Sequence, residues 1–312
     1  MAKTVLAFGE LLWDLLPTAT ILGGAPFNFV YRVNALGDRG LMVSRLGRDE
    51  LGKQAFDKVV ALGVETTYLQ WDERYPTGTV KISFDADNNP DFVIIPGVAY
   101  DFMESSDALL DMVAKVDCLC FGTLAQRSPK SRQTLERLIS HASNSLKFLD
   151  INLRKDCYGK DTVLSSLRKA DVLKLNEDEA HELTQMLDLA HATIPQFCEA
   201  LFSKWPLKYC LVTLADYGAF AFSHRNEQIY SPGYRVDSVD SLGSGDAFSA
   251  GFVHKILRDR STGEAVEYGN ALGALVVTTE GATAAISTKE IDAFLKQDMQ
   301  RRFHPELGKL LS

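Results

Sequence analysis

Cysteine is scarce in this chain: Cys118, Cys120, Cys157, Cys198 and Cys210 are the only ones in 312 residues. An odd number without a C-x-x-C pair builds neither a disulfide framework nor a zinc site, and it points to a reducing cytoplasm. Long apolar runs are missing as well. No stretch approaches the ~18 residues that span a bilayer, and the opening Met1 to Leu16 carries Glu10 and Asp14 inside its apolar stretch, unlike a secretory leader. Positive charge is in deficit: 33 Lys and Arg face 41 Asp and Glu, a net charge of −8. That is the wrong sign for a surface that neutralises nucleic acid or anionic lipid, so any anionic ligand must meet a local positive site. There is also no internal repeat, low-complexity segment or Pro/Ser-rich linker to tether independent domains.

What is present suits a folded globular protein, with 46% hydrophobic residues to build a core and 24% charged residues to solvate it. The length is about twice the ~150 residues usual for one domain. Without a linker, that excess favours one large domain over 1–312 carrying an inserted element. Aliphatic runs at Thr4–Phe8, Leu41–Leu46, Asp117–Phe121, Lys147–Ile151, Val172–Leu175 and Tyr209–Leu214 read as strands. Amphipathic stretches at Glu50–Leu62, Ser131–Ala142, Thr162–Lys169 and Glu177–Leu187 read as helices between them. The alternation predicts an α/β fold, a mostly parallel sheet covered by helices on both faces.

One stretch breaks the rhythm. Thr77–Asp85 and Asp91–Ile95 flank the polar turn 86–90 with no helix between them, the pattern of a β-hairpin. Together with Leu11–Leu22 it forms a candidate accessory sheet of about residues 11–23 and 77–97, either a lid over a cleft or a surface hairpin without a role. Arg301–Ser312 reads as a loosely held tail.

Two segments carry candidate chemistry. In Asp240-Ser241-Leu242-Gly243-Ser244-Gly245-Asp246 a glycine-rich turn feeds a helix whose apolar face is Phe248, Phe252 and Ile256. Free N–H groups at such a start, with glycines that admit close approach, make an anion site. Asp246 in the first turn is either an N-terminal cap or a base for a substrate hydroxyl. In Gly23-Gly24-Ala25-Pro26-Phe27-Asn28 paired glycines lead into the helical run Phe29–Leu36, and Asn28 offers both a donor and an acceptor, as polyol recognition requires. The segment is equally an ordinary turn into a helix. Asp14 needs a partner in its apolar setting, and a sugar hydroxyl or a backbone turn would serve.

Taken together and in order, these segments resemble the signature regions of the ribokinase-like, or phosphofructokinase-B type, carbohydrate kinases. The region Gly23–Gly37 resembles the sugar-side motif, and Asp240–Asp246 resembles the D-T-x-G-A-G-D anion hole with the catalytic Asp last. Between them, Ser44–Gly52 resembles the V-G-x-D-x-x-G stretch, Asp150-Ile151-Asn152-Leu153-Arg154 the D-x-N-x-R element, Asn176–Glu179 the N-x-x-E motif and Thr213–Gly218 the T-L-G-x-x-G loop. Departures are Ser241 for Thr, Ser244 for Ala, and Ala215 for a glycine beside the nucleotide, where a Cβ restricts the backbone. Phe27 and Val30 are bulkier than the usual sugar-side residues.

The resemblance implies transfer of the ATP γ-phosphoryl group to a primary sugar hydroxyl, a reaction that asks mainly for positioning and charge stabilisation. Asp246 is then the base, with Gly243, Ser244 and Gly245 as the anion hole and Arg154 as a forked phosphate donor, its alternative being a surface ion pair. Asp14, Gly24 and Asn28 hold the sugar, and Asn176, Thr213, Gly218 and Asn270 line the nucleotide cleft, Asn270 alternatively being a solvated helix residue. Glu179 serves Mg²⁺ through water, and carbonyls of Asp240, Leu242 and the Gly281–Ser287 loop form a K⁺ site. Phe8–Pro17 and Phe121–Ala125 look most like the fructokinase branch, with Trp13 either a wall against the sugar or lid core. Fructose leads, with ketodeoxygluconate, ribose or a nucleoside as alternatives, or a non-catalytic sugar or nucleotide sensor. A Rossmann dehydrogenase is disfavoured, since Gly9-Glu10 follows the first strand without a G-x-G-x-x-G turn. Partners are a small sugar and ATP, not nucleic acid or membrane, with pairing of two lids in a homodimer.

Overall fold

The computed structural model describes residues 1–15, 19–84, 90–189 and 193–311. Residues 86–89 of the turn expected at 86–90, and positions 16–18 of the accessory segment, lie outside them. Strands β1 (Thr4–Phe8), β2 (Leu12–Leu15) and β3 (Thr20–Gly23) lead into helix α1 (Ala25–Ala35), then β4 (Arg39–Gly47), α2 (Glu50–Ala61) and β5 (Leu69–Asp72). The hairpin β6 (Gly78–Phe84) and β7 (Pro90–Ile94) precedes α3 (Asp107–Val113), β8 (Cys118–Phe121), α4 (Pro129–His141), β9 (Leu146–Asp150) and α5 (Lys160–Leu167). There follow β10 (Val172–Asn176), α6 (Glu177–Leu187), α7 (Ile194–Lys204), β11 (Tyr209–Thr213), β12 (Gly218–Ser223) and β13 (Gln228–Tyr234). Last come α8 (Ser244–Ile256), α9 (Thr262–Val277), α10 (Thr288–Leu295) and β14 (Arg301–Arg302).

Among the described residues the main sheet has ten strands in the order β14-β13-β12-β11-β10-β9-β8-β1-β4-β5. Pairing is parallel from β5 to β11 and antiparallel beyond. Alternate residues of β1 enter opposite cores, Leu6 and Phe8 on one face and Val5 and Ala7 on the other. Helices α3 to α7 bury their apolar stripes in the first core and α1, α2, α8, α9 and α10 in the second. This is the doubly covered, mostly parallel sheet that the alternation predicts.

Helix α1 starts at Ala25, four residues before the expected Phe29. Pro26 falls in the first turn, where its missing N–H is not needed and its fixed φ suits the helix. The early start draws Asn28 into the helix and fixes its direction. The C-terminal stretch is not loosely held. β14 pairs with β13, the His304 N–H donates to Tyr230 Oη at 2.6 Å, and Leu307 is buried.

A second sheet, in the order β3-β2-β6-β7, joins the two expected accessory segments through the parallel pair β2 and β6. Asp49, the cap of α2, moors it to the body. The carboxylate accepts from Gly52 N at 2.7 Å, from Thr77 Oγ1 at 2.7 Å and from Thr77 N at 2.8 Å. Trp13 belongs to this anchorage. It points away from the cleft, and its Nε1 donates to Leu51 O at 2.9 Å, because strand alternation turns it opposite to Leu12 and Asp14.

Candidate active site

The C-terminal ends of parallel strands in an open α/β sheet leave a crevice where ligands bind. Here Glu10, Asn152, Asn176 and Thr213, at or just beyond the ends of β1, β9, β10 and β11, line a cleft of about 1480 Å³. One small ligand usually fills roughly 300–1,000 Å³, so two co-substrates have room. The small sheet supplies Leu12, Asp14, Ile21, Val80 and Ile94 to one wall, and the start of α8 closes the floor. The expected site residues Asp14, Gly24, Asn28, Arg154, Asn176, Glu179, Thr213, Gly218, Asp240, Leu242, Gly243 to Asp246 and Asn270 line this cleft, whereas Trp13 and the Gly281–Ser287 loop do not.

Gly243 caps α8 with φ at +76°, a left-handed conformation that favours glycine, and a Cβ there would stand 2.5 Å from the Cβ of Ala282. Beside it, Ser244 N donates to Ser241 O at 3.2 Å, which closes the turn. Asp240 shapes the same loop, accepting from Leu242 N at 2.9 Å and from Gly281 N at 3.0 Å. Below Gly245 lies Lys174, whose Nζ would be 3.1 Å from a Cβ added to that glycine. Lys174 is buried and paired with Asp150 at 3.1 Å. Burial works against its charge, but Asp150, then Glu179 and Asp246, outweigh it, so the ammonium holds its proton more tightly than usual.

Asp246 sits in the first turn of α8, buried, with Oδ2 accepting from Asn28 Nδ2 at 2.9 Å. Burial and the neighbouring Asp150 raise its pKa from 3.8 to about 6, against the pull of Lys174, Asn28 and Arg154. Asn28 spends its donor on Asp246, while its Oδ1 is buried without a partner. A buried acceptor left unmade costs about 1–3 kcal/mol, so this oxygen invites a donor from a ligand.

At the same end, Gly24 adopts φ +112° with a would-be Cβ 2.4 Å from Glu10 O, so the main chains touch there. Asp14 faces the cleft half-buried, its pKa raised by burial and restrained by Arg154. Arg154 itself is exposed on the wall. Glu10 is buried, and burial lifts its pKa to about 7, although the Ala25 N–H at the start of α1 and the charge of Arg154 pull the other way.

At the other end Asn176 and Glu179 form a capping box at the start of α6. Glu179 Oε2 accepts from Asn176 N at 2.8 Å and Oε1 from Leu153 N at 2.9 Å. That carboxylate joins the D-x-N-x-R loop to α6. Gly218, with φ +91°, would place a Cβ 2.1 Å from Ser231 O. Thr213 Oγ1 reaches Leu175 O at 3.4 Å. Asn270 is buried rather than solvated, its Nδ2 donating to Ser231 Oγ at 2.7 Å and Pro232 O at 2.9 Å, which ties α9 to β13. Ala215, at the position where the motif has glycine, keeps a positive φ of 50°.

Glu10, Lys174 and Arg32 escaped the sequence reading. Each is one charged residue within an apolar pattern, and periodicity assigns no role to it. The Arg32 guanidinium, 1% exposed, donates at 2.6 Å to Ala284 O and at 2.6 Å to Ala282 O, carbonyls of the loop expected to hold K⁺. Among the described residues, no group of three His, Cys, Asp or Glu side chains could hold a metal ion, and no helix is long and apolar enough to cross a membrane.

The description "pfkB family carbohydrate kinase" matches residues 18–289. The fructokinase of Escherichia coli is 28% identical over 93% of this chain and 98% of its own. A probable fructokinase-3 of Arabidopsis thaliana is 26% identical over 98% and 95%. In three dimensions, a Xylella fastidiosa fructokinase with bound ATP superposes with a TM-score of 0.82 at 23% identity, covering 95% of this chain and 99% of that one. A double-mutant Vibrio cholerae fructokinase with fructose, ADP and a potassium ion gives 0.80 at 24%, covering 94% and 98%. The match over most of the chain agrees with the order of its motifs and with the cleft they share: the chain belongs to the pfkB family of carbohydrate kinases, phosphotransferases that act on an alcohol group.

Proposed function

We propose that this enzyme transfers the γ-phosphoryl group of ATP to the primary hydroxyl of fructose, giving fructose 6-phosphate. The observation that carries the reading is the unpartnered Oδ1 of Asn28 beside the carboxylate of Asp246, both buried at the sugar end of the cleft. Asn28 Oδ1 would accept from one sugar hydroxyl while Asp246 takes the proton of the reacting one. A carboxylate with a pKa of about 6 is ionised at neutral pH and more basic than an exposed one. Asp14 faces the same space and would accept from further hydroxyls. Fructose is favoured by relatives named fructokinase that align over nearly the full chain.

At the phosphoryl end, the N–H groups of Gly243 and Gly245, at the start of α8, and the Lys174 ammonium below them oppose the charge that develops in transfer. Ser244 N would have to leave Ser241 O to join them. Arg154 would reach the same oxygens from the wall. Mg²⁺ entering with the nucleotide supplies charge neutralisation for the phosphates. Glu179 fits a water-mediated contact with it, since both carboxylate oxygens already accept backbone N–H groups. Asn176, Thr213 and Gly218 would border the nucleotide, and Asn270 would act by holding β13 in place.

The small sheet would act as a lid that excludes water, on one domain spanning the whole chain. Its edge strands β3 and β7 are the surfaces through which two copies would pair; a monomer-sized species alone in light scattering would refute that pairing. The five cysteines, all buried and free, suit a cytoplasmic location. The catalytic reading is tested by ATP consumption over fructose, ribose, ketodeoxygluconate, mannose and nucleosides. Turnover highest on fructose is the expected result. Highest turnover on another acceptor would reassign the substrate, and none on any would leave a sensor.

A further inference from the structure

We propose that Arg32 takes the place of a monovalent cation in this enzyme, so that catalysis does not depend on K⁺. The inference rests on the kinase reading and concerns how its anion hole is held in shape.

A guanidinium keeps its charge under all ordinary conditions. Burying one is expensive unless the charge meets a compensating partner. Arg32 is almost wholly buried, yet among the described residues no carboxylate lies within ion-pair distance of it. Its partners are main-chain oxygens, Ala282 O and Ala284 O, each at 2.6 Å. The use of a full positive charge to gather carbonyl oxygens of a loop is the task a bound alkali cation performs. Here the loop is the one to which the family resemblance assigns that cation.

What the loop supports explains why a charge is needed. Ala282 is in contact range of Gly243, and Gly281 N donates to Asp240 Oδ2, so the Gly281–Ala284 segment backs the turn that opens α8. Asp240, Asp246 and incoming phosphates gather negative charge on its other side. Burial lowers the pKa of Arg32 below its usual value, and Tyr31 first and Asp246 second pull the other way, so that carboxylate helps to keep the buried guanidinium protonated. Arg32 also stands one turn after Asn28 on α1, so a single helix holds the base through Asn28 and the anion-hole loop through Arg32. A covalent cation at this position needs no affinity for K⁺, and with two loop carbonyls already bound, the donor set for an alkali ion is depleted.

The test compares the wild-type enzyme in KCl and in tetramethylammonium chloride at equal ionic strength. The expected result is a kcat that differs by less than about twofold and an unchanged melting temperature. A saturable rise of kcat by about fivefold or more with K⁺ would overturn the proposal. So would a saturable, K⁺-specific rise in melting temperature, which needs no sugar and so leaves the kinase reading untouched. Absence of turnover in both salts would instead defeat the kinase reading. Arg32→Met, close in size and uncharged, is expected to lose about 100-fold in kcat, since misplacing catalytic groups by about 1 Å costs that much. Millimolar guanidinium restoring part of that loss would support the proposal, and a folded Arg32→Met enzyme with wild-type kcat in tetramethylammonium would overturn it.

Discussion

Replacing Asp246 by Asn should disable the enzyme and stabilise the protein, with a pH dependence that identifies the cause. In the folded chain, burial first and Asp150 second raise this carboxyl from 3.8 to about 6. At about 1.4 kcal/mol for each tenfold change in acidity constant, carrying the ionised group costs the fold about 3 kcal/mol at neutral pH. The sign follows from where each state titrates. Below about pH 4 both folded and unfolded chains hold the proton and the cost vanishes. Between about pH 4 and 6 the unfolded chain has lost a proton that the folded chain still holds, so stability falls across that range and levels off above it. Asn keeps an oxygen to accept from Asn28 Nδ2 and carries no charge, so the variant avoids the cost. Denaturant unfolding should therefore find Asp246→Asn more stable than wild type by up to about 3 kcal/mol at pH 7, the difference shrinking towards zero near pH 4. Steady-state assays should find kcat lowered by about 10²- to 10⁴-fold, the usual worth of a positioned base. A stability difference that ignores pH, or a kcat within tenfold of wild type, would refute the reasoning.

Gly243→Ala puts a Cβ 2.5 Å from Ala282 at a positive φ, so kcat should fall by more than about tenfold while the sugar KM changes little, checked on the best acceptor. Asp49→Ala removes two hydrogen bonds that moor the small sheet and the one that caps α2; at about 1 kcal/mol each the loss should be near 3 kcal/mol in unfolding, with KM for the sugar raised. Ala215→Gly relieves a left-handed alanine at φ 50° and should stabilise by about 1 kcal/mol, read as a higher melting temperature with ATP affinity unchanged or improved.

The strands of the parallel sheet other than the edge strand β5 were legible because a strand buried on both faces is an unbroken aliphatic run, and the starts of α2 and α6 because their capping residues, Asp49 and Asn176, sit within three positions of what they cap. The same locality explains why the turns of the cleft were legible. The G-x-G-D turn and the paired glycines at 23–24 are short patterns whose chemistry lies in the backbone. What depends on distant partners was not legible. Asn28 and Asp246 are 218 residues apart, and only the folded chain reveals that one amide donates to a buried carboxylate while its own oxygen is left without a partner. Trp13 illustrates the limit of composition: an aromatic near a sugar motif suggests a binding wall, but strand alternation sends it to α2 instead. The Ser44–Gly52 stretch matched a family pattern before its reason was visible. A Cβ at Gly52 would lie 2.0 Å from Gly47 O, and Asp49 is a mooring for Thr77 rather than a ligand group. The C-terminal stretch was misjudged because its few apolar residues lack a period, although Leu307 finds a deep site in the core.

The cleft draws on residues far apart in the sequence, with Glu10 just after β1 and Arg302 on β14. No partly folded species in which β1 or β14 is undocked can possess it. A ligand that binds only the complete cleft lends its binding free energy to the whole cooperative structure, by about 2.7 kcal/mol at a hundredfold excess over its Kd. For this chain, substrate supply and resistance to unfolding are therefore coupled: a cell rich in the sugar and nucleotide would preserve the enzyme that consumes them, and starvation would leave it more open to unfolding and proteolysis.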